Sequence, residues 1–136
     1  DQLNKGWNDL RLEYQGIVPP VERDESGFDA GAKYHIPGNV PYTRYFLARI
    51  LQFQFFKAAC DQAGWEGPLH RCSFYGNEEV GEKLNAMLEL GGSEPWADAL
   101  EEFTGERQMS GKAMSEYFAP LKAWLDEQNQ GKPTGW

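Results

Sequence analysis

The chain lacks three features that would each indicate a particular class of protein. No run of apolar residues approaches the roughly 18 that a membrane-spanning helix needs, so the sequence predicts no membrane segment. The 13 Lys and Arg residues are outnumbered by 21 Asp and Glu, giving a formal net charge of -8. Nucleic-acid binding depends on clustered basic side chains, so we expect no nucleic-acid partner. Internal repeats and long alternating strand patterns are missing as well, which leaves helices as the expected structure.

Cysteine is scarce, and the two cysteines, Cys60 and Cys72, enclose eleven residues. A local disulfide of that size stabilises a fold by about 3 kcal/mol in the loop-entropy model. Such a bridge would place the protein outside a reducing cytosol. Two other interpretations stay open: a pair of free buried thiols, or a metal site completed by His70, although the spacing matches no common zinc motif.

The residues that are present predict an all-α fold of five helices. With 40% hydrophobic and 14% aromatic residues, the chain can form one compact unit. One short strand over residues 33–36 is compatible with the pattern. The helices follow from apolar spacing and cap residues: one from Leu3 that ends before Pro19, one over residues 41–63, one capped by Asn77 and closed by Gly91, one capped by Ser93 that ends at Gly105, and one capped by Ser110 that Pro120 should kink or split.

The helix predicted over residues 41–63 is apolar on two sides. Tyr45 and Phe53 share one face, whereas Leu51 and Phe55 share the opposite face. A surface helix of a small domain hides only one apolar stripe, so this one should be buried at the centre of a larger body. The chain also starts at Asp1 without a signal-like segment, which is typical of a processed or truncated product.

Five polar or aromatic residues gather where this central helix begins: Lys33, His35, Tyr42, Arg44 and Tyr45. A helix N-terminus carries a partial positive charge, and with a lysine nearby it would favour an anion such as a carboxylate. An arginine buried on an apolar helix would need a counter-anion. The plainer alternative makes the tyrosines core aromatics, the histidine a turn residue and the lysine an exposed one.

Several motifs resemble the C-terminal part of the angiotensin-converting enzyme family, zinc peptidyl-dipeptidases of peptidase family M2. They occur in the order of that family and cover the chain from about Trp7 to Trp136. The resemblance implies a multi-helix C-terminal subdomain of a larger, mostly helical zinc peptidase. The motifs are KYHIP, VPYTRYF, QFQF, GPLHRC, SEPW, YFAPLKAWLDEQN and the final GW.

The zinc motif of that family, His-Glu-x-x-His, does not occur in this chain. His35 is followed by Ile36 and His70 by Arg71, so neither histidine begins the motif. The resemblance therefore implies that residues 1–136 are a C-terminal fragment of the catalytic domain, with the zinc ligands outside the chain. Alone, the fragment should be inactive and should self-associate, because its partner is the missing N-terminal part of the same domain.

The resemblance also implies roles for individual residues. Lys33 and Tyr42 would bind the C-terminal carboxylate of a peptide substrate. His35 would hydrogen-bond the substrate backbone near the cleaved bond, and Tyr45 would stabilise the oxyanion. Chloride would be held by residues that match Trp7, Arg11 and Arg44. From spacing alone, Trp7 is equally interpretable as a core tryptophan beside a surface arginine.

Two functional hypotheses follow. The first is the substrate-binding part of a secreted, periplasmic or extracellular peptidase that releases dipeptides from peptide C-termini. The second is a non-catalytic helical domain that binds a partner protein through exposed aromatic side chains. Arg49 stands where vertebrate members of the family carry an aromatic residue that lines the pocket for the last substrate residue, so substrate preference does not transfer.

Overall fold

Five α-helices make up most of the regular structure in residues 2–133, the part of the chain that the computed structural model describes. Two short 3-10 helices, Asp29–Ala32 and Leu69–Arg71, lie between them. No strand occurs within the described residues, so the predicted all-α fold is confirmed there. The final Gly-Trp pair of the resemblance lies outside this range. The helices are α1 (Leu3–Gln15), α2 (Arg44–Gln62), α3 (Glu78–Glu89), α4 (Trp96–Thr104) and α5 (Lys112–Gln128).

The possible strand over residues 33–36 is a tight turn instead. The N–H of Ile36 donates to the carbonyl of Lys33 at 2.9 Å, and the N–H of Gly38 donates to the carbonyl of Tyr34 at 2.8 Å. These local bonds pair backbone groups that a strand would need a neighbour to satisfy. The prediction of a strand was therefore wrong.

The helix ends differ in part from the prediction. Asn77 caps α3 as expected, because its Oδ1 accepts the N–H of Val80 at 3.1 Å. Ser93 does not cap α4, since its hydroxyl donates to the carbonyl of Leu90 at 2.7 Å. Pro120 lies inside α5 without splitting it. The proline removes one N–H donor, and the carbonyl that loses this partner, on exposed Glu116, can bond to water.

The described chain forms two compact units, of which the first ends at Arg44 and the second covers Tyr45–Pro133. In the first unit, Asn4 of α1 is 1% exposed. Its Nδ2 donates to the carbonyls of Asp24 at 2.5 Å and Gly27 at 3.1 Å, and its Oδ1 accepts the N–H of Asp29 at 2.8 Å. A single buried amide thus fastens the acidic segment after α1 onto the start of that helix.

The second unit is built on the C-terminal half of α2. Ala58 and Ala59 pack against Val80 of α3 and Phe103 of α4 to form its core. Buried Gln54 donates to the carbonyl of Gln108 at 3.0 Å and accepts the N–H of Ser110 at 3.1 Å. The segment between α4 and α5 is therefore held against the side of α2.

The central helix is buried along only part of its length. Its buried residues are Gln54, Ala58, Ala59 and Cys60, all in the C-terminal half. Tyr45, Phe46 and Leu47, near its start, are exposed. The prediction of a buried helix thus holds for the C-terminal half, whereas the first turns of α2 are exposed. No helix within residues 2–133 is long and apolar enough to cross a bilayer.

Replacement of Asn4 by Ala should destabilise α1. The change leaves two carbonyls and one N–H without their partner, and an unsatisfied buried polar group costs about 1–3 kcal/mol. Hydrogen exchange of the α1 amides would measure the loss. Asn85→Ala, at an exposed position of α3, should leave that exchange unchanged; equal effects of the two substitutions would contradict the role assigned to Asn4.

Acid should also loosen α1, because the backbone N–H groups of Asn4 and Lys5 donate to the Glu25 carboxylate and lower its pKa below 4.5. A carboxyl group whose pKa is lowered in the folded state stabilises that state above its unfolded pKa, and this contribution is lost as the pH falls through the folded value. Protection of the α1 amides should therefore be steady near neutrality and decline below about pH 4.5.

Glu25→Gln tests this account, since it should weaken the acid dependence of α1 protection between pH 6 and pH 3. Glu13→Gln, on the same helix, is the matched control and should preserve that dependence. If both variants titrate like the parent chain, Glu25 does not cap α1 in solution.

Candidate functional site

The turn between the first 3-10 helix and α2 positions the candidate site. The N–H of Val40 donates to the carbonyl of His35 at 2.9 Å, which closes the turn. Asn39 adopts a left-handed backbone with φ 51°, a conformation that asparagine tolerates better than most residues. A Cβ atom on Gly38 would lie 2.9 Å from the carbonyl oxygen of Tyr34, so only glycine fits there. The chain therefore reverses direction before Tyr42.

This reversal brings three of the predicted site residues together in the first unit. The rings of His35 and Tyr42 lie with their centroids 4.1 Å apart. The Nζ atom of Lys33 lies over the Tyr42 ring, 5.2 Å from its centroid, within cation–π distance. Tyr34 meets His35 edge-on at 5.7 Å. A cation, a phenol and an imidazole thus share one corner of the molecule.

A cavity of about 420 Å³ opens beside this corner. His35, Ile36 and Asn39 are among the residues that line it. The Nδ1 atom of His35 is buried and has no hydrogen-bond partner among the described residues. Buried polar atoms are normally paired, so this unpaired nitrogen marks His35 as a candidate for ligand binding. Asn39, which was not among the predicted site residues, also lines this cavity.

Tyr45 belongs to the second unit, where it stands on the first turn of α2 with 64% of its surface exposed. Arg49 follows one turn later on the same face of the helix. Its Nη1 donates to Oε1 of Gln52 at 3.4 Å. Arg49 is therefore bonded to Gln52, on a helix that presents Tyr45 one turn earlier.

The three residues assigned to chloride binding, Trp7, Arg11 and Arg44, all belong to the first unit. Arg44 is exposed, and its Nε donates to the carbonyl of Pro41 at 3.0 Å. An exposed guanidinium needs no counter-anion, so the argument from burial does not apply. The pKa of the Asp29 carboxyl is lowered chiefly by Arg23 and also by the charge of Arg11. Arg11 thus acts on a carboxylate, and its assignment with Trp7 rests on the resemblance.

The described residues do not fit a catalytic zinc ion either. Zinc needs three or four nitrogen, sulfur or oxygen ligands around one point. Within residues 2–133, no group of three or more His, Cys, Asp or Glu side chains is placed to hold a metal ion.

The two cysteines form a disulfide in the second unit. The sulfur atoms of Cys60 and Cys72 are bonded at 2.10 Å, with their Cα atoms 6.2 Å apart. Of the three interpretations that the sequence left open, the structure adopts the bridge. The His70 ring instead lies edge-on to Tyr117 of α5, with the centroids 6.3 Å apart.

Comparison with known proteins gives a consistent family. The family model described as angiotensin-converting enzyme matches residues 1–136. Angiotensin-converting enzyme of Mus musculus is 50% identical over 99% of this chain, and that of Bos taurus is 47% identical over 99%. The enzyme of Haematobia irritans exigua is 52% identical over 88% of the chain. The match spans 10% of the two mammalian relatives and 21% of the fly relative. With the whole chain matched by one family model and about half of its residues shared with these relatives, it belongs to the angiotensin-converting enzyme family.

Proposed function

We propose that this chain is part of a zinc peptidyl-dipeptidase, which releases dipeptides from the C-terminus of oligopeptides. In this proposal the zinc ligands lie outside residues 1–136, and the chain contributes the groups that bind and orient the substrate. The observation that carries the proposal is the meeting of Lys33, His35 and Tyr42 in one corner. Membership of the family supports it independently.

The first role is recognition of the substrate's free carboxylate. An enzyme that removes two residues must bind the C-terminus at a fixed distance from the bond that it cleaves. The exposed ammonium group of Lys33 lies above the Tyr42 ring, which holds the charge close to the phenol. The flexible lysine stem can carry that charge from the ring face to a ligand oxygen. A hydrogen bond between an ammonium group and a carboxylate is about twice as strong as a neutral one.

The second role is alignment of the peptide backbone by His35. The ring is fixed between Tyr34 and Tyr42, so its orientation is set before a ligand arrives. Its unpaired Nδ1 can exchange a hydrogen bond with a peptide N–H or carbonyl group. A preoriented ring loses little side-chain entropy when it binds, which favours a defined position for the substrate.

The third role is stabilisation of negative charge on the carbonyl oxygen under attack. Tyr45 carries a phenolic donor on the first turn of α2, and its exposure leaves the ring accessible to substrate. Removal of one oxyanion donor from an enzyme typically costs about 2.7–4 kcal/mol. This assignment rests on the family resemblance, as does chloride binding by Trp7, Arg11 and Arg44.

An extracellular location belongs to the same proposal. The Cys60–Cys72 bridge supports it, because disulfides persist mainly in oxidising compartments. Self-association of the isolated chain is also proposed, since α5 exposes four large apolar side chains that would seek cover. They are Phe118, Leu121, Trp124 and Leu125.

A second candidate function is protein binding without catalysis. The exposed aromatic residues of α2 and α5 favour it, because aromatic side chains are enriched in protein interfaces. The two candidates separate on activity, since only the first requires dipeptide release by the full-length protein.

Carboxylate binding can be tested on the chain itself by calorimetry with Ala-Phe and its C-terminal amide. We expect the free acid to bind at least roughly tenfold more tightly, because hydrogen bonds to charged groups contribute about 1.5–3 kcal/mol. Lys33→Ala should abolish that preference. Lys112→Ala, which removes an exposed lysine from the start of α5, should preserve it. Equal affinity of the parent chain for acid and amide would refute the assignment of Lys33.

The role of Tyr45 can be tested on the full-length protein that carries this chain. Tyr45→Phe should lower the kcat for zinc-dependent dipeptide release by about 100-fold to 1,000-fold, while KM changes little. Tyr75→Phe is the matched control, since Tyr75 is 99% exposed, and it should retain full activity. Unchanged kcat/KM after both Tyr45→Phe and Lys33→Ala would show that the site is elsewhere.

A further inference from the structure

An apolar cavity lies in the second unit, and none of its lining residues has a role in the proposed peptidase site. Its volume is about 380 Å³, within the range of roughly 300–1,000 Å³ that is usual for ligand pockets. We name it the α3–α4 groove, because Gly91 and Gly92 between those helices form part of its wall. Its apolar lining comes chiefly from Leu51 and Phe55 of α2, Met87 of α3, Trp96 and Leu100 of α4, and Met109.

The segment beside this groove carries most of the net negative charge of the protein. The segment Glu78–Thr104 holds eight acidic residues and one lysine, so its formal charge of -7 accounts for nearly all of the -8 of the chain. Lys83 is paired with Glu79 at 2.8 Å. Arg107, which lies just after α4, pairs with Asp98 and Glu101.

Five carboxylates of this segment have no cationic partner among the described residues. They are Glu78, Glu82, Glu89, Glu94 and Glu102. Glu94 itself lines the groove, and Glu89 ends α3 two residues before Gly91. Unbalanced negative charge therefore borders an apolar cavity, and a ligand that brings positive charge would gain from both features.

The charge also decides between kinds of occupant. A second copy of this chain carries the same charge of -8, so docking it here would bring like charges together. A neutral apolar ligand would fill the cavity but leave the carboxylates uncompensated. A basic peptide with apolar side chains uses the apolar wall and the acidic border together.

We propose that the α3–α4 groove binds a basic, amphipathic segment of a partner protein. Apolar side chains of that segment enter between Phe55 and Met87, whose thioether can adapt to their shape. Its Lys or Arg side chains lie beside Glu94 and Glu89. Trp96, which is 58% exposed, offers its ring face to one of these cations. None of these residues belongs to the corner around His35, so the binding is independent of peptidase activity.

The test is a titration of the full-length protein that carries this chain, isotope-labelled at glycine and tryptophan, with an 18-residue peptide of leucine and lysine that forms an amphipathic helix. Nuclear magnetic resonance would follow the amides of Gly91 and Gly92 and the indole N–H of Trp96. We expect saturable shifts at these groups. Two control peptides test whether binding needs both apolar side chains and positive charge. One is a serine-lysine peptide of the same charge, and the other is a leucine-glutamate peptide of the same apolar content. Each should bind at least roughly tenfold more weakly, because each satisfies only one of the two features.

Matched variants of the chain localise the binding. Trp96→Ala should weaken binding of the leucine-lysine peptide at least roughly tenfold. Trp124→Ala removes a tryptophan of similar exposure, 55%, from α5 and should have no effect. Glu94→Gln should weaken binding severalfold at low salt and less at high salt, whereas Glu127→Gln on α5 should not. Circular dichroism would verify that every variant is folded.

Four outcomes would overturn the proposal. Equal binding of the serine-lysine peptide would show attraction to acidic charge alone. Equal binding of the leucine-glutamate peptide would show apolar docking that is indifferent to charge. Equal losses in Trp96→Ala and Trp124→Ala would show that the groove is not the binding site. Shifts of the Gly91, Gly92 and Trp96 signals that depend on protein concentration without added peptide would identify a second copy as the occupant of the groove.

Discussion

The packing demands of α2 constrain the whole second unit. Its 19 residues carry apolar side chains on two opposite faces, so the helix needs packing partners on both. The C-terminal half finds them in Val80 and Phe103, and the disulfide at Cys60 fixes its end to the following loop. The first half leaves Tyr45 and its neighbours exposed. The same helix thus supplies both a rigid core and an accessible aromatic surface, which is where the proposed oxyanion donor stands.

In the first unit, local backbone hydrogen bonds hold the candidate site residues in place. The turn closed by Val40 and His35 sets the imidazole against Tyr42, and the ammonium group of Lys33 completes the cluster. Charge is distributed unevenly as well: the cationic corner lies in the first unit, whereas α3 and α4 in the second hold most of the net negative charge. The two surfaces suit ligands of opposite sign, a peptide carboxylate and a basic segment.

The sequence predicted the five helices because apolar spacing and caps such as Asn77 are local signals. It also predicted the meeting of Lys33, His35 and Tyr42, although their roles came from the family resemblance. The prediction that Ser93 caps α4 was wrong, because the Ser93 hydroxyl donates to the carbonyl of Leu90 instead. The sequence did not predict the hydrogen bonds of the Asn4 side chain, because their three partners lie 20 to 25 residues away and no local pattern marks such contacts. Burial of Arg44 was inferred from its apolar neighbours, but those neighbours are themselves exposed.

The central claim is that the corner around Tyr42 is a binding site for the free end of a peptide. A crystal structure of this chain with a bound dipeptide would test it most directly. The account predicts a carboxylate oxygen within about 2.7–3.2 Å of the Lys33 Nζ and the Tyr42 hydroxyl, and a hydrogen bond from the peptide backbone to His35. A dipeptide whose carboxylate lies elsewhere, with Lys33 still seated over the Tyr42 ring, would contradict it.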